Sequence, residues 1–86
     1  MTTDEVREAV MSLLRRDAAR CAPGLVLAED TDLIGAGVYD SMGFVDALGE
    51  LETRLGCEID LSEHGPDEYT HVGGLVRTIL LVRGGA

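Results

Sequence analysis

The chain has 86 residues, enough for one small core, and its three aromatics (Tyr39, Phe44 and Tyr69) leave that core to Leu, Val, Ile, Ala and Met. That palette suits packed helices better than a sheet, so the expectation is a single domain over residues 1–86, all-α. A net charge of −9 disfavours nucleic acid and anionic lipid as ligands and steers the chain toward proteins with basic surfaces.

Thr2 and Glu5 fit a capping box, and Val6, Ala9, Val10, Leu13 and Leu14 then follow on one face, which predicts a first helix to about Ala19. Pro23 and Gly24 break it. A long connection from Ala22 to Tyr39 follows, with Leu25, Leu27, Leu33 and Ile34 as anchors to the core. A second helix begins at Asp40 or Ser41 and stops near Leu55, where Gly56 supplies a left-handed end. Its apolar positions are Val45, Leu48, Leu51 and Leu55, with Met42 and Phe44 near its start. A short helix is expected at Pro66–Tyr69, since Pro suits a first helical position and Asp67 and Glu68 a first turn. Thr70 can cap a last helix with the stripe Val72, Leu75, Val76, Ile79 and Leu80, ending at Arg83 and a frayed Gly84–Ala86. The expected architecture is a small bundle of three main helices plus one short helix, with a long first loop.

Charge is unevenly placed. Residues 1–20 carry four acids and four arginines, whereas residues 21–76 carry twelve acids against Arg54 alone. Every basic residue is Arg. Cys21 and Cys57 have no C-x-x-C spacing and no histidine at ligand spacing, so free, buried or half-buried thiols are expected and no metal site. No apolar run is long enough for a membrane span, and the acidic start is unlike a signal peptide, which together lead to the expectation of a cytoplasmic, reduced protein; it is also expected to be a monomer.

The chemistry centres on "DSMG", residues 40–43. A calcium reading of residues 30–41 places Asp30, Asp32 and Gly35 where an EF-hand loop needs them, but Ile34 and Ser41 fall where it needs an oxygen ligand and a bidentate Glu. A nucleophile reading of Ser41 lacks a base, because nothing in the spacing brings His64 or His71 to it. As an acceptor, Ser41 is better placed: a helix N-terminus offers unpaired N–H groups and the positive end of the macrodipole to an added phosphate. Asp40 can cap that helix or offer a carboxylate to a divalent ion brought by a modifying enzyme, and Gly43 leaves the neighbouring surface bare. Local chemistry alone favours Asp40 and Ser41 as ordinary cap residues, with Gly43 incidental.

With its lead-in "LIGAGVYDSMG", the continuation "LGELETRLGCEI" and the helical order around them, the chain resembles the acyl carrier protein superfamily over nearly its whole length. Within it, "AGVYDSMG" followed by "LSEHGPDEYT" is most similar to D-alanyl carrier proteins and their stand-alone relatives in natural-product assembly lines. Tyr69 stands where D-alanyl carriers tend to have Trp, and Phe44 takes a position usually small or polar. With the all-Arg composition, these differences favour secondary metabolism (polyketide or nonribosomal peptide biosynthesis) over teichoic acid D-alanylation.

The resemblance implies a carrier and not an enzyme. A phosphopantetheinyl transferase would place a 4'-phosphopantetheine arm from coenzyme A on Ser41, with Asp40 in support. An adenylating ligase or an acyltransferase with a basic docking surface would then load an acyl or aminoacyl thioester. Asp46 and Glu50, i and i+4 apart, would share an acidic face toward such partners, unless Glu50 pairs with Arg54. Met42 is expected either as an apolar partner contact or over the core. Phe44 is expected either in the core against the first loop or as an exposed partner anchor.

Overall fold

Thr2 and Glu5 close the capping box expected of them: Glu5 N–H donates to the Thr2 hydroxyl at 3.2 Å and Thr2 N–H to the Glu5 carboxylate at 3.1 Å. The helix they start, α1 (Thr3–Cys21), is one of four among residues 2–84, which the computed structural model describes. The others are α2 (Ser41–Leu55), α3 (Pro66–Tyr69) and α4 (Val72–Gly84). The architecture is therefore the expected all-α bundle of three main helices and one short one. Gly84 closes α4 where a frayed Gly84–Ala86 was expected, and Gly85 and Ala86 lie outside the described residues.

One apolar cluster joins the elements. α1 contributes Val6, Val10, Leu13, Leu14 and Ala18; α2 contributes Phe44, Ala47 and Leu51; α4 contributes Val72, Leu75, Val76 and Ile79. α1 packs on both α2 and α4, and α3 lies on α4. That last approach needs Gly74, because a Cβ there would collide with the carbonyl oxygen of Glu68. α2 ends at Gly56 with φ of 68°, the left-handed stop expected of it.

The long connection is tied down through its backbone. Leu33 N–H donates to Thr70 O at 2.8 Å, Val72 N–H to Thr31 O at 3.1 Å and Gly73 N–H to Glu29 O at 2.8 Å, around an isolated antiparallel bridge between Asp32 and His71. Leu33 and Val38 are fully buried from this segment, and Leu25 and Leu27 pack at its margin.

Several sequence expectations are corrected. Ile34 is no core anchor but stands 37% exposed, because the turn that sends Leu33 inward points its neighbour out. Val45 is 65% exposed, since α2 buries the face of Phe44, Ala47 and Leu51 and turns Val45 away from it. Thr70 ends α3 and does not begin α4: its carbonyl is taken by Leu33, and the α4 ladder opens with Leu75 N–H on His71 O at 2.8 Å. α1 runs on to Cys21, one turn past its last core residue, so that thiol is exposed; Cys57 is half-buried and both are free.

Phe44 is core. Only 5% exposed, its ring meets Tyr39 edge-on and stacks with Tyr69, each at a centroid distance of 5.9 Å. This overturns its place among partner-contacting residues: α2 turns it inward between the loop and α3. Phe44→Ala is expected to cost about 3–5 kcal/mol of stability, read by urea unfolding. Met42→Ala on the exposed face should stay within about 0.5 kcal/mol of the parent.

Candidate functional site

The start of α2 is held from three directions. The carbonyl of Leu33 accepts both Val38 N–H at 3.1 Å and Tyr39 N–H at 3.0 Å, closing the turn that delivers the chain to the helix. Asp40 caps it, its Oδ1 accepting Gly43 N–H at 2.6 Å, and the first intrahelical bond runs from Phe44 N–H to Asp40 O at 2.9 Å. The N–H groups of Ser41 and Met42 precede that first bond and face outward at the positive end of the helix. Glycine at position 43 has a local reason, since a Cβ there would sit 3.0 Å from the capping oxygen of Asp40 and 3.7 Å from the Tyr39 ring. It keeps the cap short, where the sequence suggested only a bare surface.

The third hold is a buried charge. Tyr39 OH donates to Asp17 Oδ2 at 2.6 Å, and Asp17, only 3% exposed, also accepts Arg16 Nε at 3.1 Å and Arg20 Nη2 at 3.0 Å through its other oxygen. Arg16 reaches on to Glu50 with two bonds of 2.7 and 2.9 Å, and Arg54 adds a third at 3.0 Å. The chain Tyr39–Asp17–Arg16–Glu50–Arg54 thus ties α1 to α2 beside the helix start. Burial, and then the bond to Asp17, pushes the Tyr39 hydroxyl far above its ordinary range, so it acts as a permanent donor. The Glu50 carboxyl is held below its ordinary value mainly by the Arg16 hydrogen bonds.

Asp17 and Tyr39 were missed by sequence reasoning, yet a signal was present. Asp17 continues the apolar series Val6, Val10, Leu13, and an acid on a core face between Arg16 and Arg20 calls for paired burial. Glu50 was read as a partner contact unless it paired with Arg54; in the structure both of its oxygens are engaged, by Arg16 and Arg54. Pairing with Arg54 was foreseen; pairing with Arg16, 34 positions away, was not.

Ser41 is exposed, Met42 is 76% exposed, and Asp46 is exposed one turn along. Ser41, Met42, Val45 and Asp46 therefore share an open surface at the head of α2, apolar with one acid. His64 lies 3.6 Å from Glu68 and His71 bridges to Asp32; among the described residues neither hydrogen-bonds Ser41. Asp32, first of the candidate calcium acids to be used, spends Oδ1 on the N–H groups of Ile34 and Gly35 at 3.1 and 2.9 Å. Among the described residues no three His, Cys, Asp or Glu side chains gather as a metal site.

Residues 4–79 match the family model described as the phosphopantetheine attachment site. The chain belongs to this family. As a carrier protein it bears a covalent 4'-phosphopantetheine, and an exposed hydroxyl at a capped helix start with two outward N–H groups fits a phosphodiester. Its relatives include the D-alanyl carrier proteins of Streptococcus thermophilus (strain ATCC BAA-491 / LMD-9) and Streptococcus sanguinis (strain SK36), each 39% identical over 54 residues, 63% of this chain and 68% of the relative. The D-alanyl carrier protein of Streptococcus pyogenes serotype M1 is 38% identical over 50 residues, 58% of this chain and 63% of the relative. No solved structure gives a significant match. No helix among the described residues is long and apolar enough to cross a membrane.

Two measurements test the network. Tyr39→Phe leaves the buried Asp17 without its hydroxyl donor and is expected to cost about 1–3 kcal/mol in urea unfolding. Because the Glu50 value is depressed on folding, its pairing stabilises the fold above the ordinary glutamate value near 4.5 and loses that contribution as pH falls through the folded value. Carbon-detected NMR should place the Glu50 midpoint below that ordinary value and return it upward in Arg16→Ala; a midpoint indifferent to Arg16→Ala would show that the pair does not form.

Proposed function

We propose that Ser41 is the attachment residue and that the carrier holds an aminoacyl thioester of the D-alanyl type, loaded by an ATP-dependent adenylating ligase. The observation that supports this most directly is the exposed "DSMG" serine at a helix start whose cap, Asp40, is already satisfied by Gly43. The family accounts for the group, and the D-alanyl carrier relatives favour the cargo class.

Each residue has a task in this reading. Ser41 Oγ attacks the pyrophosphate of coenzyme A in the transferase site; a P–O bond to serine forms, the bond to 3',5'-ADP breaks, and the serine proton passes to a base of the transferase. The outward N–H groups of Ser41 and Met42 then face the new phosphodiester, where the helix end contributes roughly 0.3–1 kcal/mol. When bound, the group supplies a thiol that holds a carboxylic acid as a thioester. Asp40 is engaged as a cap through one oxygen and leaves the other free for a transferase-borne divalent ion. Met42, Val45 and Asp46 form the face offered to partners: two apolar contacts and one carboxylate for a basic rim. The chain itself performs no catalysis in this scheme.

The assembly-line reading leaned on Phe44 and Tyr69 as departures from the D-alanyl pattern. Phe44 is core and stacks with the half-buried Tyr69, so packing accounts for both residues without reference to cargo. Only the all-Arg composition remains in its favour.

Intact mass after incubation with coenzyme A, magnesium and a broad-specificity phosphopantetheinyl transferase should show one added phosphopantetheine on the parent and none on Ser41→Ala; addition that survives Ser41→Ala would move the site. The loaded carrier, offered ATP and a D-alanine-adenylating ligase, should gain the mass of one alanyl group, whereas charging only by ligases for other acids would overturn the cargo. Asp46→Arg is expected to slow that charging about tenfold at low salt, chiefly through encounter rate, with the circular dichroism unchanged.

A further inference from the structure

Beside the head of α2, an open cleft of about 540 Å³ is lined by Arg16, Asp17 and Arg20 from α1 and by Gly43, Asp46 and Ala47 from α2. Apolar packing therefore leaves the first turn of α2 unsupported from this direction. Two polar ties reach across from α1 instead. Arg16 holds Glu50, in the third turn of α2, with bonds of 2.7 and 2.9 Å. The second tie is the 2.6 Å bond from the Tyr39 hydroxyl to Asp17, which holds the residue just before the Asp40 cap. Both ties converge on one carboxylate, because Asp17 also accepts Arg16 Nε at 3.1 Å.

The body of α2 and its first turn depend on different contacts. Ala47 and Leu51 in the core, with Glu50 on Arg16, fix the body. The first turn is closed by Gly43 N–H on Asp40 Oδ1 and Phe44 N–H on Asp40 O, and both bonds end on Asp40. Helix ends fray readily, so such a turn is as steady as the residue that caps it. Tyr39 steadies Asp40 in three ways: its N–H donates to Leu33 O at 3.0 Å, its ring meets Phe44 edge-on at 5.9 Å, and its hydroxyl reaches α1. The first of these stays within the loop. Among the described residues, no other side-chain hydrogen bond joins residues 22–40 to α1.

We propose that Tyr39, anchored on Asp17, is a positioning residue for the transfer of phosphopantetheine to Ser41, holding the first turn of α2 so that the serine hydroxyl keeps its place relative to the partner face of the helix. This role follows only if Ser41 is the attachment residue, as proposed above. Tyr39 is 8% and Asp17 3% exposed, and both oxygens of the carboxylate are engaged, so neither residue touches the reacting atoms. They act through Asp40 and the first turn. A transferase docked on Val45 and Asp46, in the second turn, meets Ser41 Oγ at a fixed offset only while the first turn stays helical. Displacing a reacting group by about 1 Å costs up to roughly 100-fold in rate. Loss of the hydroxyl therefore slows the transfer step and leaves docking as it is.

Transfer is followed on the full chain as intact mass against time, with coenzyme A, magnesium and a broad-specificity phosphopantetheinyl transferase, in sucrose, which favours the folded state of every variant alike. Tyr39→Phe removes the hydroxyl and keeps the ring. Ile79→Val, in the core on α4 and outside both ties, is the control for lost stability alone. Tyr39→Phe is expected to lower kcat about tenfold with KM within about twofold of the parent, whereas Ile79→Val keeps both. Amide order parameters at Ser41 and Met42, read by ¹⁵N relaxation, should fall in Tyr39→Phe and not in Ile79→Val. An unchanged kcat, an equal fall in Ile79→Val, a change in KM alone, or unchanged order parameters would each overturn the proposal. So would a Tyr39→Phe chain that stays unfolded in sucrose, since the hydroxyl would then serve the fold and not the serine. A parent chain that gains no phosphopantetheine, or a gain that survives Ser41→Ala, would instead overturn the attachment site itself.

Discussion

The hydroxyl of Tyr39 on the buried carboxylate of Asp17 is the contact through which the head of α2 is fixed to the rest of the molecule. Residues 22–40 form no helix, so the chain arriving at Ser41 has little regular backbone to position it. Its register is set by Leu33 O, which accepts two successive N–H groups, and by Tyr39, which adds a side-chain bond to α1. A buried carboxylate is costly unless every lone pair is used, and Asp17 is used by one hydroxyl and two guanidinium groups. Among the described residues no buried side-chain N or O lacks a partner. Loss of any member leaves a charge without its partner, which makes the arrangement geometrically demanding and hence specific.

The same network sorts the acidic residues into two kinds. Glu50 and Asp17 are absorbed by arginines of α1 and α2, while Asp46 remains on the open surface beside Ser41. Near the serine, the exposed carboxylates of Asp40 and Asp46 accompany the apolar Met42 and Val45. In the proposed function, recognition there combines an apolar anchor with charge steering. On α1 and α4, Arg7 and Arg77 border one groove together with Glu29. The chain thus presents two faces of different chemistry.

Much of the fold was legible because the signals were local. The capping box at Thr2 and Glu5, the stop at Gly56, Pro66 opening a short helix and the apolar stripes each depend on residues within a turn or two of one another. The errors have a common origin. Val45 and Ile34 are apolar at positions that suit a core, Thr70 is a good cap, and only the angle at which neighbours arrive turned two of them outward and gave the third to Leu33. Phe44 was undecided between core and surface because its fate rests on Tyr39 and Tyr69, which lie in separate segments.

Sequence alone determined four helices, a capped helix start at Asp40 and a serine placed to receive an anion, because hydrogen bonds and periodicity within a few residues dictate them. Tertiary structure decided which side chains remain available for function. It drew Glu50 into a pair with Arg16, buried Phe44, left Asp46, Met42 and Val45 free, and set Arg7 and Arg77 on either side of one groove. Those outcomes follow from contacts between residues tens of positions apart, whose meeting depends on how whole helices pack.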